Sequence, residues 1–554
     1  MNEVLSLKKS NCKDCYKCIR NCPVKAISFA EDQAQIIPSE CILCGQCFVV
    51  CPQNAKEIRQ DTSKVRAAIG AGKKVYASIA PSFITDFEVG GIEDMAKALY
   101  ALGFTAVEET AIGAEIVSKE YDRMMERGEQ PVIISSCCPT VNSLIQKYHP
   151  TVLPYLAHVL SPMQAHGKLI REKHPDAYTV FIGPCISKKA ESDDSKYIDA
   201  ALTFDELRQW LAADKITLSR STIEENGQRT RLYPTTGGLL KTIHPSNGYS
   251  AIAIDGVENC KSALKELESG KLKKVFIEMS ACEGSCINGP AIRDHAQSRV
   301  SGAVAINAFA GDADYGEEVR DGIKCSYPTQ GVRKILPGGE AIQAVLNRMG
   351  KTTPEKELNC GCCGYPTCRD KAIAVCQGKA EIGMCLPFLR EKAESFSDKI
   401  ISNTPNAILV LNEDLIVQQI NQAAMKMFKL TSPDDILHAP IVRLLDPTDY
   451  MNVVLTGRNI VNKRHYIAEY KLFVEETITY DKQYRILISI MRDVTSQERA
   501  HAQDQELRKK TVEITDNVIN KHMRVVQEIA SLLGETTAET KIALTKLKDA
   551  IEHE

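Results

Sequence analysis

The sequence predicts an α/β protein built from several domains, and its length, its short apolar runs and its cysteines support this. A chain of 554 residues with 44% apolar composition can form several cores, and length alone predicts about three to five domains. Between residues 61 and 350, short β-branched runs alternate with helical stretches. All 21 cysteines occur before residue 386, after which the composition changes. We therefore expect the parts of the chain before and after this point to differ in chemistry.

The apolar runs of the central region resemble buried parallel strands. They are short, rich in β-branched residues and bounded by Gly, Pro or charged residues. They occupy residues 75–80, 132–135, 179–182, 251–254 and 275–278. Three of them lead directly into cysteine-containing loops. Because open α/β sheets place their sites at the carboxyl ends of parallel strands, we expect these loops to form a functional site.

The three loops carry five cysteines between Gly and Pro residues. They are Ser135–Pro139 with Cys137 and Cys138, Gly183–Glu191 with Cys185, and Glu278–Cys286 with Cys282 and Cys286. No structural need explains this pattern, which indicates converging thiolates, and soft thiolates suit low-valent iron. The three segments resemble the signature loops of FeFe-hydrogenases, whose active site is the H-cluster.

The resemblance implies a cofactor and a role for each matching residue. Four thiolates hold a 4Fe-4S cube, and Cys286 bridges it to a two-iron subsite with CO and CN ligands and a dithiolate bridge; the four are Cys138, Cys185, Cys282 and Cys286. Cys137 matches the terminal proton donor, for which a thiol pKa near neutral is expected. Lys188 matches the lysine that hydrogen-bonds an iron cyanide, and Glu191 matches a proton-relay glutamate. Taken singly, each of these residues is more often a packing or surface residue, but the three loops together reverse that preference.

Several positions depart from the family pattern. Gly183 and Ser280, which we include among the cofactor-binding positions, stand where the family usually has Met. The changes also include Val141 for Trp, Gly289-Pro290-Ala291 for a Gly-Gly-Gly-Gln-Pro ending, and Ala157 for a relay serine. The Lys119–Tyr121 region is the nearest candidate for the upstream relay glutamate. Because such neighbours tune a metal site, we expect a hydrogenase of low turnover.

The N-terminus carries the two-cluster ferredoxin repeat. Each run has the spacing Cys-x2-Cys-x2-Cys-x3-Cys-Pro, and the fourth cysteine of each run ligates the other cluster. Cluster one is thus assigned to Cys12, Cys15, Cys18 and Cys51, and cluster two to Cys41, Cys44, Cys47 and Cys22. Structural zinc is the alternative, although the doubled run with both prolines is not zinc spacing.

A further cysteine motif follows the central region. Cys360, Cys363, Cys368 and Cys385 resemble a small 4Fe-4S domain, with a zinc knuckle as the alternative. Of the remaining cysteines, we expect Cys260, Cys325, Cys362 and Cys376 to be ordinary buried thiols. This cysteine usage is typical of a reducing interior, not of a disulfide framework.

The C-terminal part carries no iron motif. Residues 406–414, 420–428 and 491–496 resemble the strand, helix and closing strand of a PAS domain. His438 or His465 could ligate haem in such a fold, but the sequence favours a PAS domain without a cofactor. The tail has helical spacing with a stop at Gly534, which predicts a coiled coil with a second copy or, alternatively, a helix folded back on its PAS domain.

Together these features predict the domain order. The domains are a two-cluster ferredoxin-like domain (1–60), an α/β H-cluster domain (61–350), a small 4Fe-4S domain (351–395), an α+β PAS domain (396–500) and a C-terminal helical segment (501–554).

The predicted function is hydrogen sensing. The H-cluster would reversibly oxidise H2 to protons and electrons, and three 4Fe-4S clusters outside it would relay its redox state to the PAS domain. The alternatives are a catalytic hydrogenase coupled to ferredoxin, and an iron-sulfur relay that lacks the two-iron subsite. Expected partners are a ferredoxin-like carrier, hydrogenase maturation proteins, a separate kinase or phosphatase, and a second copy of the chain.

Charge and hydropathy set further expectations. The net charge of −3, from 68 basic and 71 acidic residues, argues against nucleic-acid binding. The N-terminus is too short and polar for a secretory signal, and no apolar run reaches the roughly 18 residues that span a bilayer. We therefore expect a soluble cytoplasmic protein without membrane contact.

Overall fold

The computed structural model describes residues 4–8, 11–221, 227–292, 299–318, 322–332, 336–533 and 538–552. The chain divides into two compact units, residues 1–388 and residues 389–554, which are described separately.

The first unit opens with a small domain of paired hairpin-like strands. Strand β1 pairs antiparallel with β4, and β2 pairs antiparallel with β3. Ile19, Ile27 and Phe29 are buried between them, together with several of the cysteines. The elements are β1 (Leu5–Leu7), α1 (Lys17–Asn21), β2 (Ile27–Ala30), β3 (Gln33–Ile36), α2 (Gln46–Val49) and β4 (Lys56–Ile58).

The central region alternates strands and helices, as expected. Its elements are α3 (Thr62–Gly70), β5 (Val75–Ile79), α4 (Phe83–Asp86), α5 (Ile92–Ala101), β6 (Ala106–Glu109), α6 (Ala111–Arg127), β7 (Val132–Ile134), α7 (Pro139–Tyr148), α8 (Pro162–Lys173), β8 (Tyr178–Gly183), α9 (Ser187–Asp193), β9 (Ala200–Thr203), α10 (Phe204–Ala213), β10 (Ser250–Asp255), α11 (Val257–Leu267), β11 (Val275–Ser280), α12 (Arg299–Phe309) and α13 (Gly339–Arg348).

The central strands form two separate parallel sheets. One has the order β6-β5-β8-β9 and the other the order β10-β11-β7. Every residue of β5 and β7 is buried, because helices cover both faces of a parallel sheet. The five strands expected from the sequence are therefore present, divided between the two sheets.

Buried ion pairs fix the segments that surround the sheets. Arg231 is 2% exposed, and its Nε donates to Glu109 Oε2 at 3.0 Å while the guanidinium lies over the ring of Phe309. Lys189 is fully buried, and its Nζ lies 2.9 Å from Asp61 Oδ2 and 2.8 Å from Glu206 Oε2. These pairs join elements that are distant in the sequence, so their geometry depends on the whole domain.

The third cysteine motif docks on the ferredoxin-like domain. Helix α14 (Cys368–Cys376) packs against α13 and is followed by α15 (Leu386–Asn403). Arg20 Nη2 donates to the Cys362 carbonyl at 2.9 Å, and Lys25 Nζ donates to the Gly364 carbonyl at 2.9 Å. Cys362 and Cys376 are exposed, so the expectation of buried thiols was wrong for both; Cys362 lies in the loop before α14 and Cys376 ends that helix.

The second unit contains a five-stranded antiparallel sheet of order β13-β12-β16-β15-β14. The His438 N–H donates to the Val417 carbonyl at 2.9 Å, and His465 Nε2 lies 3.7 Å from Glu476 Oε2. The elements are β12 (Ala407–Asn412), β13 (Val417–Ile420), α16 (Gln422–Met427), α17 (Thr448–Thr456), β14 (Ile460–Ile467), β15 (Leu472–Asp481) and β16 (Ile486–Asp493).

Two helices follow the sheet. Helix α18 (Thr495–Leu533) is long, and α19 (Ala538–Glu552) packs against it through a Lys548–Asp516 ion pair of 2.9 Å. The helix stop expected at Gly534 lies outside the described residues. Within the described ranges, no helix combines the length and apolarity needed to cross a bilayer.

Candidate metal centre

A cavity of about 130 Å³ lies where strands of both parallel sheets end. The loops after β7, β8 and β11 all contribute to its lining. All five cysteines predicted for this site line the cavity: Cys137, Cys138, Cys185, Cys282 and Cys286. The topology therefore brings the three cysteine loops to one place.

Local structure fixes each cysteine. Cys138 directly precedes the Pro139 that begins α7, because proline favours the first helical position. Cys185 follows β8 after Pro184, and Cys286 lies in a short 3-10 turn after β11. The first and third loops are tied together, since the Met279 N–H donates to Ser135 Oγ at 3.1 Å.

Cys137 is held by a tyrosine. The Tyr121 hydroxyl lies 3.3 Å from Cys137 Sγ, and it also accepts the Ser136 N–H at 3.0 Å. Burial raises the pKa of the Cys137 thiol to about 12. The expectation of a pKa near neutral was therefore wrong, because the apolar surroundings penalise the thiolate. The raised pKa favours the protonated form of the thiol.

Lys188 and Glu191 form a buried pair beside the cavity. Lys188 Nζ lies 2.7 Å from Glu191 Oε2 and 3.4 Å from the Cys137 carbonyl oxygen, and Lys188 lines the cavity. Burial alone would lower the pKa of Lys188, but the Glu191 carboxylate raises it above its ordinary value. Glu191 is not among the lining residues, so its contact with the site runs through Lys188.

A serine hydroxyl does reach Glu191. Ser161 Oγ donates to Glu191 Oε1 at 2.5 Å, and Gln164 Nε2 donates to the same oxygen at 3.0 Å. Ala157, which stands at the expected serine position, is buried in the core with its N–H bonded to the Ile134 carbonyl. No sequence motif pointed to Ser161, because its contact with Glu191 depends on how α8 and α9 pack.

The two residues that replace Met of the family pattern, Ser280 and Gly183, differ in their position relative to the cavity. Ser280 lines the cavity, with its Oγ 2.8 Å from Ser285 Oγ. Gly183 does not line it. A Cβ at Gly183 would lie 2.6 Å from the ring of Phe181, so the ring occupies the space of a side chain there. Phe181 lines the cavity in its place, so an apolar contact is kept at this position.

Glu278 is a further residue that the sequence analysis left without a role. It is 6% exposed, lines the cavity, and accepts the N–H groups of Gly237 at 3.0 Å and Leu240 at 3.2 Å. Burial raises its pKa to about 7. A glutamate inside the otherwise apolar strand β11 was the sequence signal for it.

The ferredoxin cysteines lie in two groups. Cys12, Cys15 and Cys18 share a pocket with Cys51. Burial raises the pKa of Cys44 well above its ordinary value, and the nearby Cys22, Cys47 and Cys41 raise it further. Cys44 also lines the central cavity, which places the cluster-two segment at the predicted active site.

The third motif forms its own pocket. Cys360, Cys363, Cys368 and Cys385 line it together with Lys371. Across the described residues, no three His, Cys, Asp or Glu side chains converge as ligands of a single metal ion. A cube, in contrast, is held by thiolates spread around several irons.

Four family matches cover most of the chain. Residues 73–290 match the family described as the C-terminal domain of the iron only hydrogenase large subunit, and residues 11–61 match the 4Fe-4S dicluster domain. Residues 357–387 match a family described by its Fe-S cluster, and residues 396–500 match the PAS fold.

The chain is similar to both hydrogenases and assembly factors. It is 25% identical to Iron hydrogenase 1 of Clostridium pasteurianum, covering 51% of this chain and 64% of that protein. It is 26% identical to the cytosolic Fe-S cluster assembly factor NAR1 of Yarrowia lipolytica, covering 30% of this chain and 38% of that protein. The large subunit of the periplasmic [Fe] hydrogenase of Nitratidesulfovibrio vulgaris is 25% identical, with 35% of this chain and 61% of that protein covered. The chain thus spans less than two thirds of each of these relatives.

Among solved structures, the chain is similar to a variant of [FeFe]-hydrogenase HydA1 from Chlamydomonas reinhardtii. The TM-score is 0.41 and the identity is 17%, over 50% of this chain and all of that chain. The PAS domain of nitrogen regulation protein NR(II) from Vibrio parahaemolyticus matches 18% of this chain and 96% of its own, with a TM-score of 0.16 and 23% identity. The family matches carry the assignment: the protein contains the C-terminal domain of an iron-only hydrogenase large subunit, preceded by a 4Fe-4S dicluster domain and followed by a PAS domain.

Proposed function

We propose that this protein senses hydrogen. An H-cluster in the central cavity would oxidise H2 reversibly and slowly, and the iron-sulfur clusters would carry its redox state to the PAS domain. The observation that carries the proposal is the single cavity lined by Lys188 and by the cysteines of all three loops. Thiolates are the ligands that iron-sulfur clusters take, so the lining fits the group.

The residues that would hold the H-cluster are Cys138, Cys185, Cys282 and Cys286, with Cys286 at the two-iron subsite. When bound, the cluster supplies the iron that activates H2 and stores the electrons. Lys188 brings a positive charge to the cavity lining, where it would stabilise anionic ligands, and Glu191, itself bonded by Ser161, fixes its position.

Proton movement would begin at Cys137. Its thiol stays protonated, so it can donate a proton into the cavity and recover one from its partner Tyr121. Burial raises the pKa of Tyr121 well above its ordinary value, which makes the tyrosinate costly to form. Proton exchange through this contact would therefore be slow, which suits a sensor better than a catalyst.

Electrons would leave through cluster two, because Cys44 lines the same cavity as the H-cluster ligands. The third cluster would be the last before the PAS domain. Its ligand Cys385 directly precedes helix α15, which ends at Asn403, shortly before β12 begins at Ala407.

The test is an anaerobic infrared spectrum of the protein matured with a synthetic two-iron precursor, recorded under nitrogen and then under hydrogen. Carbonyl and cyanide bands that shift with hydrogen are expected. Cys286→Ser should lose these bands and Cys325→Ser, which changes a thiol outside the cavity lining, should keep them. Absence of bands from the wild-type protein would instead favour a relay without the two-iron subsite, and a high rate of H2 turnover would favour a ferredoxin-coupled catalyst.

The same proposal includes partners and location. Maturation proteins would insert the two-iron subsite, a ferredoxin-like carrier would exchange electrons, and a separate kinase or phosphatase would receive the signal in the cytoplasm. A homodimer would form through α18, on which apolar side chains are exposed at Leu507, Ile514, Val518, Val525 and Ile529. Light scattering of the purified protein tests the dimer, and a monomeric mass would refute it.

A further inference from the structure

Lys371 is a buried cation without a partner in the pocket of the third cysteine motif. It is 1% exposed, and its Nζ has no hydrogen-bond partner within the described structure. It lines the pocket together with Cys360, Cys363, Cys368 and Cys385. An unpaired buried ammonium is strongly destabilising unless an anion compensates its charge.

The Lys371 side chain faces the pocket of the third cysteine motif. It follows Cys368 by one helical turn on α14, so both side chains lie on the same face. Ala372, the next residue of the helix, packs against Ile342, Val345 and Leu346 of α13, which covers this side of the helix. The ammonium therefore points away from solvent and toward the thiols.

We propose that Lys371 is the countercharge of an anionic 4Fe-4S cluster held in this pocket, and that it raises the reduction potential of that cluster. The inference rests on the proposed cluster ligands. A cluster gains negative charge on reduction, and a nearby cation or hydrogen-bond donor stabilises that reduced form. Lys371 would thus favour the reduced form of the third cluster, whose ligand Cys385 directly precedes α15.

The experiment compares variants of the full-length, iron-loaded protein by potentiometric titration followed by electron paramagnetic resonance. Lys371→Gln removes the buried charge. Arg369→Gln is the matched control, since Arg369 is an exposed cation on the same helix. Lys371→Arg keeps the charge. We expect Lys371→Gln to shift the potential of the third cluster to a lower value, with little shift for Arg369→Gln and partial recovery for Lys371→Arg.

Iron content separates the other outcomes. Loss of about four irons per chain in Lys371→Gln but not in Lys371→Arg also supports the countercharge, because one cube holds four irons and only the charge differs. Equal potentials in Lys371→Gln and Arg369→Gln would overturn the inference, and so would equal loss of iron from Lys371→Gln and Lys371→Arg. A wild-type protein without a third cluster would refute the ligand assignment in the proposed function itself.

Discussion

Tyr121 and Cys137 meet although they come from different elements: the hydroxyl on α6 lies 3.3 Å from the sulfur of the loop after β7. The sequence analysis looked to the Lys119–Tyr121 region for a relay carboxylate. Glu120 instead pairs with Arg127 at 2.8 Å, and the tyrosine beside it reaches the thiol. The residue that contacts Cys137 is thus a phenol, a much weaker acid than the carboxylic acid expected in this region.

Tyr121→Phe should slow hydrogen turnover. The change removes one hydrogen bond to the thiol and one to the Ser136 N–H, and a bond of about 1.4 kcal/mol corresponds to about tenfold in rate. Hydrogen–deuterium exchange by the matured protein measures it. Tyr249→Phe, which loses a hydroxyl that donates to the Gln130 carbonyl, is the control. Equal rates in both variants would remove Tyr121 from the proton path.

Cys137→Ala should abolish most turnover and leave cluster assembly intact. General acid–base groups contribute about 10²- to 10⁴-fold to enzymatic rates, and Cys137 is outside the proposed ligand set. Iron content and the infrared bands should match those of the wild-type protein. Full turnover in the matured variant would contradict its role as proton donor.

Lys188 and Lys189 are neighbours with separable effects. Lys189→Met leaves Asp61 and Glu206 buried without their shared cation, which should cost about 3–5 kcal/mol of stability. Lys188→Met should cost less, because Glu191 keeps its bonds from Ser161 and Gln164, but should shift the cyanide bands. Thermal unfolding and infrared spectra of both variants measure this. Cyanide bands that shift in Lys189→Met but not in Lys188→Met would contradict the assignment of Lys188 as the lysine beside the cyanide ligands.

Gly45→Ala should destabilise the contact between the ferredoxin-like domain and the third loop. Gly45 has a φ of +75°, and a Cβ there would overlap the ring of Pro290. Gly72→Ala is a matched control, since Gly72 has a φ of +74° with no atom near. The control should lose about 1–2 kcal/mol from backbone strain, and Gly45→Ala about 1–3 kcal/mol more from the clash. Thermal midpoints that fall equally would rule out the contact.

Glu278 should make stability depend on pH. Its pKa is about 7 in the folded protein against an ordinary value of 4.5, so between these pH values the folded state holds a proton that the unfolded state has released. Stability therefore falls as pH rises from 4.5 to 7, by about 3 kcal/mol in total at 1.36 kcal/mol per unit. Thermal midpoints of the wild-type protein and Glu278→Gln should converge at low pH and separate near neutrality. A constant difference would show that Glu278 ionises normally.

The elements of the central domain could be read from the sequence because buried parallel strands leave a local pattern of short β-branched runs. Their division into two sheets could not, since it depends on pairing between segments such as β7 and β11 that are far apart in the chain. The cysteine loops were visible as motifs. The residues that surround these loops could not be predicted in the same way, because they come from other parts of the chain. Phe181 covers Gly183, and Cys44 lines the cavity from a different domain. Lys371 looked like any surface lysine on a helix, because its burial comes from the fold around it.

The ferredoxin-like segment is part of the cavity, since Leu43 and Cys44 line it and Gly45 lies against Pro290. A ribosome makes these residues early, and the second and third cysteine loops only much later, because synthesis proceeds from the N-terminus. The cavity can therefore close only after residue 290 has been translated. Delivery of iron to the ferredoxin motif during synthesis would precede closure, whereas insertion at the central site belongs to the finished chain. Each nascent molecule would thus form its ferredoxin-like segment before its central cavity.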